Sequence, residues 1–468
     1  MKANNAAKKY SNKNKKVLLE ILIINILILS IDTQIQLRGI VEGFYGTPWT
    51  FEDRADLIKF SHEVNFNAYI YAPKDDPYHR EQWRNPYPDE KIEELKNLIA
   101  LSIENNIHFI FAVSPGIDLN FYGDKGKEDF NKLLIKLNSL YEKGCRDFAI
   151  FFDDIKIKSD SGINQAFFLN KLQETLDAKY PDINPIITVP TQYWRIGMFD
   201  KKGKLKQYTR DFVNNLSKKI IVLYTGEKVV GDGLSDEAYK KATDIYKRKI
   251  GIWWNYPVND YLRIKRALGP IEKLPTSNVQ SIFFNPMGQP QLSKISLATG
   301  ADYALSPQTY DPDKSWNKAI EKQFGHLAPA MKVFAKHSRY MKFHSSGEVG
   351  PPDGPEFFEE AQNAIISFKE KKSFDFTKLL NLTNELEKSG KILLDNLSVK
   401  ILEECRPQLE LFIKISKADR VAAKSLQNGK IDSQLNELRN EIQLFSKKAL
   451  ISEKSAVKFI DEVIELFK

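Results

Sequence analysis

The sequence predicts an α/β chain in two parts: a closed parallel (β/α)8 barrel, then an all-α helical bundle. Three observations predict this. From Arg38 to about Asp302, short apolar, β-rich runs alternate with longer charged segments of helical spacing. About eight such units over roughly 250 residues is the size of a TIM-type barrel, with parallel strands and crossover helices. Then a stiff cluster, Pro351-Pro352-Asp353-Gly354-Pro355, precedes segments in which helical periodicity alone persists.

The strand candidates in order are Gly39–Phe44, Ala68–Tyr71, Phe109–Val113, Phe148–Phe152, Ile186–Val189, Ile220–Tyr224, Gly251–Trp254 and Ser281–Phe284. Between and after them the spacing predicts helices over Phe51–Val64, Asp89–Asn105, Lys127–Lys143, Asn164–Ala178, Ser235–Lys247 and Gln289–Thr299. A doubly wound open sheet would place a glycine-rich phosphate turn after the first strand. Gly43-Phe44-Tyr45-Gly46 lacks that spacing and leads into Thr47-Pro48-Trp49. Beyond about Ser345, apolar residues recur at three- and four-residue spacing over Phe357–Lys371, Phe376–Ser389, Ile392–Ser416, Ser433–Leu450 and Glu453–Phe467, which predicts a helical bundle. The expected division is therefore residues 1–37 as tail and apolar segment, 38–345 as barrel, and 346–468 as bundle.

Charge excludes one class of partner. The 468-residue chain carries a formal net charge of +8, and six of those charges are lysines within residues 1–16, which hold no acid. The rest of the chain is near neutral, so no basic face for nucleic acid is expected. The tail runs into an apolar stretch, Val17–Ile31, interrupted by Glu20, Asn25 and Ser30. That order predicts a signal peptide or a membrane tether, hence a secreted or membrane-anchored extracellular protein, with a cytoplasmic one as the alternative. The two cysteines, Cys145 and Cys405, make no disulfide framework, and the six histidines are too scattered for a ligand set.

In a parallel barrel the active site lies at the C-terminal ends of the strands. The residues there include Glu42, Gly43 and Tyr45; Lys74, Asp75 and Asp76; Ser114 and Asp118; Asp153 and Asp154; Thr191, Gln192 and Tyr193; Thr225 and Glu227; Trp253, Asn255 and Asp260; and Asn285. Carboxylates, amides and aromatic platforms suit sugar chemistry: aromatic faces cover a pyranose, while Asn and Asp reach its hydroxyls. Asp153 and Asp154 directly follow five apolar residues. Neighbouring carboxylates cannot both ionise cheaply, so the pair could supply a protonated acid beside an ionised partner. The same pair could instead cap a helix or hold a divalent cation.

Longer motifs weigh on that choice. The stretch Arg38–Trp49 (RGIVEGFYGTPW) resembles the opening of glycoside hydrolase family 84. So do Tyr69–Arg80 (YIYAPKDDPYHR), Ser114-Pro115-Gly116, Phe151–Ile155, Pro190–Tyr193, Tyr224-Thr225-Gly226, Trp254-Asn255 through Asn259-Asp260-Tyr261, and Asn285-Pro286-Met287. The resemblance runs in order from about Arg38 to Tyr303. Tyr224 departs from it, standing where the family pattern has Trp. The family contains β-N-acetylglucosaminidases acting on O-GlcNAc-modified proteins, and enzymes described as hyaluronidases; its members carry a helical domain after the barrel.

The resemblance implies that Asp153 holds and polarises the 2-acetamido group and that Asp154 is general acid, then general base. Tyr193 would support the attacking acetamido oxygen, and Asn255 would help hold that group. Lys74, Asp260 and Asn285 would bind sugar hydroxyls with the Gly43 backbone, and Trp253 and Tyr45 would wall the pocket. The expectation is a retaining exo-β-N-acetylglucosaminidase that uses the substrate's own acetamido group as nucleophile, acts on a β-GlcNAc-bearing glycoprotein or glycan, and requires no metal or organic cofactor. A non-catalytic GlcNAc-binding protein and a metal-dependent barrel lyase are the alternatives. A homodimer is compatible with the sequence.

Overall fold

The computed structural model describes residues 34–343 and 347–468. The signal- or anchor-like segment falls before residue 34 and lies outside the described residues. Eight parallel strands close a barrel in sequence order: β1 (Leu37–Glu42), β2 (Ala68–Tyr71), β3 (His108–Val113), β4 (Asp147–Phe151), β5 (Ile187–Val189), β6 (Ile221–Tyr224), β7 (Gly251–Trp254) and β8 (Ser281–Phe284). β8 closes on β1 in the register Leu37↔Ser281 to Ile40↔Phe284. The sequence runs place every strand within a few residues.

Strand side chains alternate, and the two faces make two cores. Val41, Ala68, Ile70, Ala112, Ala149, Phe151, Val189, Leu223, Trp253 and Phe283 fill the barrel interior. Their neighbours Ile40, Tyr69, Tyr71, Phe111, Ile150, Phe152 and Phe284 face the surrounding helices. Local chemistry starts several of those helices. The Thr50 hydroxyl accepts from the Asp53 N–H ahead of Phe51–Glu63, and Ser235 does the same for Ala238 ahead of Asp236–Tyr246. Asp311 caps Pro312–Phe324, where Pro312 opens the helix at a position that needs no N–H.

After the barrel helices comes a two-stranded antiparallel hairpin, β9 (Met341–Phe343) with β10 (Gly347–Val349), which the helical texture beyond Ser345 did not foretell. Helices Pro355–Lys369, Thr377–Asn396, Val399–Asn428, Gln434–Phe445 and Ala456–Leu466 follow. The helix expected over Ile392–Ser416 is instead divided. Leu397 and Ser398 take extended ψ values of 145° and 150°, so Ile392–Asn396 closes one helix and Val399 opens the next. That second helix runs twelve residues past Ser416 to Asn428, where Gly429, at φ 65°, takes the left-handed turn that ends it. No helix among the described residues is long and apolar enough to cross a membrane.

Candidate active site

Counting by twos along the strands explains most of the site. Val41, Ala72, Phe151, Trp253 and Phe283 point into the barrel. Two residues further on, the same side of the chain presents Gly43, Lys74, Asp153, Asn255 and Asn285. All five line one cavity of about 440 Å³ at the C-terminal mouth of the barrel, with Trp253 itself, Tyr45, Asp154, Tyr193 and Asp260. All ten residues singled out from the sequence therefore meet in one place. The volume falls within the range of small-molecule sites.

Glu42 shows the same rule in reverse. It shares its face with Ile40, so it points outward, where it is fully buried against Arg54 (2.8 Å) and the Tyr69 hydroxyl (2.6 Å). Other strand-end residues are also structural. Asp76 accepts from the Tyr71 and Tyr87 hydroxyls, Asp118 from Trp83 and Arg84, and Glu227 pairs with Arg195. His79 is enclosed between the Ala112 carbonyl and Ser114, and burial lowers its pKa to about 3, so it is neutral.

The two aspartates differ in environment. Asp153 is buried; its Oδ2 accepts a charge-assisted hydrogen bond from Lys74, and its Oδ1 has no hydrogen-bond partner. Asp154 would face away from the barrel if the strand continued. Instead β4 ends at Phe151, and Asp154 takes a left-handed backbone with φ 55°. That turn brings its side chain back to the mouth, where Oδ2 accepts from the Tyr45 hydroxyl (2.7 Å) and Oδ1 from the Tyr193 hydroxyl (2.8 Å). Burial, then the Asp154 charge, pushes both phenols up, so both stay protonated.

The far wall is a linked set. Asn255 Oδ1 accepts from Trp253 Nε1 (2.8 Å) and Asn285 Nδ2 (3.0 Å), while its own amide donates to the Val229 carbonyl (2.8 Å). Asn285 Oδ1 accepts from the Gly43 N–H at 3.3 Å. A Cβ on Gly43 would stand 2.3 Å from the Trp253 ring, so any larger residue there must displace that ring. Asp260 accepts from the Tyr45 N–H at 2.8 Å, and burial raises its pKa.

Several neighbours were not singled out from the sequence. Trp194, Val229 and Phe343 also line the cavity, Phe343 reaching in from the hairpin after the barrel. Arg80 donates to the Tyr45 hydroxyl at 2.8 Å. Its position in the Tyr69–Arg80 motif, six residues after Lys74, was the one available signal. Among the described residues, no three His, Cys, Asp or Glu side chains gather as a metal-ligand set.

Fold and site are those of a glycoside hydrolase: a parallel barrel whose mouth presents adjacent carboxylates in a cavity walled by aromatic rings and amides. The family model for β-N-acetylglucosaminidase matches residues 38–336, and that for a hyaluronidase post-catalytic domain-like region matches residues 364–460. The chain belongs to this β-N-acetylglucosaminidase family, glycoside hydrolase family 84. The protein O-GlcNAcases of Rattus norvegicus and Mus musculus are each 32% identical over 282 residues, which is 58% of this chain and 30% of theirs. The aligned region thus spans less than a third of those relatives. The solved structure of CpGH84B is 37% identical with a TM-score of 0.85, covering 92% of this chain and 77% of that one. A mutant of the Thermobaculum terrenum O-GlcNAc hydrolase is 28% identical with a TM-score of 0.78, covering 92% and 94%.

Proposed function

We propose that this protein is a retaining exo-β-N-acetylglucosaminidase in which the substrate's 2-acetamido group is the nucleophile. One observation carries the reading. Asp153 is held by Lys74 through one oxygen, while its other oxygen is buried without a partner in the same cavity as Asp154. Burying an unpaired carboxylate oxygen is unfavourable unless a donor meets it. An acetamido N–H is such a donor, and one that turns positive during the reaction.

In this reading the acetamido carbonyl oxygen closes on the anomeric carbon as Asp154 protonates the departing glycosidic oxygen. An oxazoline-type ring results, with Asp153 stabilising the positive charge on its nitrogen. Water then attacks the anomeric carbon from the face the aglycone left, giving its proton to Asp154, and configuration is retained. Trp253 shields the sugar's apolar face. Asn285, Asp260 and Lys74 offer polar groups to its hydroxyls. Tyr193 can turn its O–H hydrogen bond from Asp154 to the acetamido oxygen.

The substrate proposed is terminal β-linked GlcNAc on a glycoprotein or glycan. The relatives described as O-GlcNAcases and an O-GlcNAc hydrolase favour a glycoprotein. The basic and apolar N-terminus is proposed to export or tether the protein, which fractionation of the expressing cell would test.

The deciding experiment compares aryl β-N-acetylglucosaminides with the corresponding non-acetylated glucosaminides. Rapid release from the first and far slower release from the second is expected; equal rates would overturn substrate assistance. Asp154→Ala should lose about 10²–10⁴-fold on substrates with poor leaving groups and far less on activated ones.

A further inference from the structure

The two phenols that donate to Asp154 are not equivalent. The Tyr45 oxygen itself accepts from Arg80 Nη1 at 2.8 Å. The guanidinium carbon stands 5.5 Å from the centroid of the Tyr45 ring, and Nη2 is 3.5 Å from the Asp154 carbonyl oxygen. A guanidinium has donors only. The Tyr45 proton therefore cannot turn towards Arg80 and is directed to Asp154 Oδ2. Among the described residues, no side chain donates to the Tyr193 hydroxyl in this way, so that hydroxyl is free to change acceptor.

We propose that Arg80 is a positioning residue that acts through Tyr45 to fix Asp154 Oδ1 as the oxygen carrying the transferable proton. The proposal rests on the hydrolase reading above. A neutral carboxyl has one O–H. With Oδ2 held as an acceptor by Tyr45, the proton belongs on Oδ1, and it takes its place there when Tyr193 leaves for the acetamido oxygen. In the first step that proton passes to the glycosidic oxygen, which takes the electron pair of the breaking anomeric C–O bond as the acetamido oxygen bonds to the anomeric carbon. In the second step a water proton returns to Oδ1. The water oxygen bonds to the anomeric carbon, and the acetamido oxygen recovers its electron pair. Arg80 and Tyr45 exchange no proton in either step.

The sign of the pH effect follows from this chain of donors. Arg80 strengthens the Tyr45 O–H as a donor, and taking a donor away from a carboxylate disfavours its charged form. Acid catalysis needs the protonated form, so kcat/KM falls as pH rises through this ionisation. Loss of the Arg80–Tyr45 link should move that basic limb to higher pH. The other charges around Asp154 are Asp153 with its partner Lys74, and Asp260, whose raised pKa Asp154 contributes to after burial. Arg263 lies behind Tyr45, 3.2 Å from its carbonyl oxygen. All four remain in the variants below.

The test is the pH profile of kcat/KM on a β-N-acetylglucosaminide with a poor leaving group, for the wild type, Arg80→Met, Arg80→Lys, Tyr45→Phe and the double variant Arg80→Met/Tyr45→Phe. Limb position is read from active protein and does not depend on how much of a variant folds. The basic limb is expected to rise by about one pH unit in Arg80→Met and in Tyr45→Phe, with no further rise in the double variant. Arg80→Lys, which keeps a donor-only cation, should recover most of the shift. No shift in Arg80→Met, or a shift that persists at full size in the Tyr45→Phe background, would overturn the proposal. Failure of the hydrolase reading looks different: the wild type would show no basic limb and Asp154→Asn would keep its rate.

Discussion

Among the described residues two Lys–Asp pairs are buried, one at the barrel mouth and one at the seam with the C-terminal helices, and they are built to opposite specifications. At the seam Lys265 reaches Asp353 and Glu453, each at 2.7 Å. The remaining oxygen of Asp353 accepts from the backbone N–H groups of Arg339 (2.6 Å) and Tyr340 (2.8 Å). Both of its oxygens are satisfied, and the network ties a barrel loop, the breaker cluster and the last loop before Ala456–Leu466 together. At the mouth Lys74 meets one oxygen of Asp153, and the other has no partner. A completed network holds structure. One left incomplete beside a cavity is ready for a ligand.

Breaking each pair should therefore damage different properties. Asp353→Ala removes one of the two carboxylates that meet Lys265, together with the acceptor of the Arg339 and Tyr340 N–H groups, and should lower stability by about 3–5 kcal/mol, read by urea unfolding, while the fraction that folds keeps its kcat. Asp153→Asn should reverse the pattern, with unfolding little changed and kcat/KM down about 10²–10³-fold, or about 2.7–4 kcal/mol of transition-state stabilisation. If Asp153→Asn proved the more destabilised of the two and stayed active, the contrast would be wrong.

A third buried acid sharpens the comparison. Asp419, in the long helix Val399–Asn428, is fully enclosed and neither oxygen has a partner; burial raises its pKa well above the usual carboxylate range. With the folded pKa above the unfolded one, the folded state binds the extra proton. Stability should then fall as pH rises from about 4 through the raised pKa. Asp419→Asn should flatten that slope and gain about 1–2 kcal/mol at pH 8, measured by unfolding at pH 5 and pH 8. A wild type equally stable at both would refute this. The smallest effect expected is that of Gly43→Ala. Its Cβ would crowd the Trp253 ring, so KM should rise about tenfold with little change in unfolding; an unchanged KM would show that the ring can yield.

Much of the site was legible because strand periodicity carries past the strand ends. Asp153 continues the inward series of Ala149 and Phe151, and Asn285 that of Phe283. Glu42, although it stands at a strand end beside Gly43, belongs to the outward series. Its parity with Ile40 is the sequence feature that separates it from the inward set. Arg80, Trp194 and Phe343 carried no such signal. Their place depends on how loops of different length fold back, and Phe343 comes from a hairpin about 60 residues beyond the last barrel strand.

By itself the sequence determined the eight strand–helix units, the change to helices after the proline cluster, and the strand ends at which Gly43, Lys74, Asp153, Asn255 and Asn285 stand. Each of these follows from spacing along one chain, and the pleat converts spacing into direction. Only the tertiary structure decided that Asp154 joins them, because alternation would send it outward and a left-handed turn at φ 55° returns it. Only the tertiary structure, too, set Arg80 against Tyr45 and Lys74 against Asp153. Contacts between loops of separate strands arise when the barrel closes, and no local period encodes them.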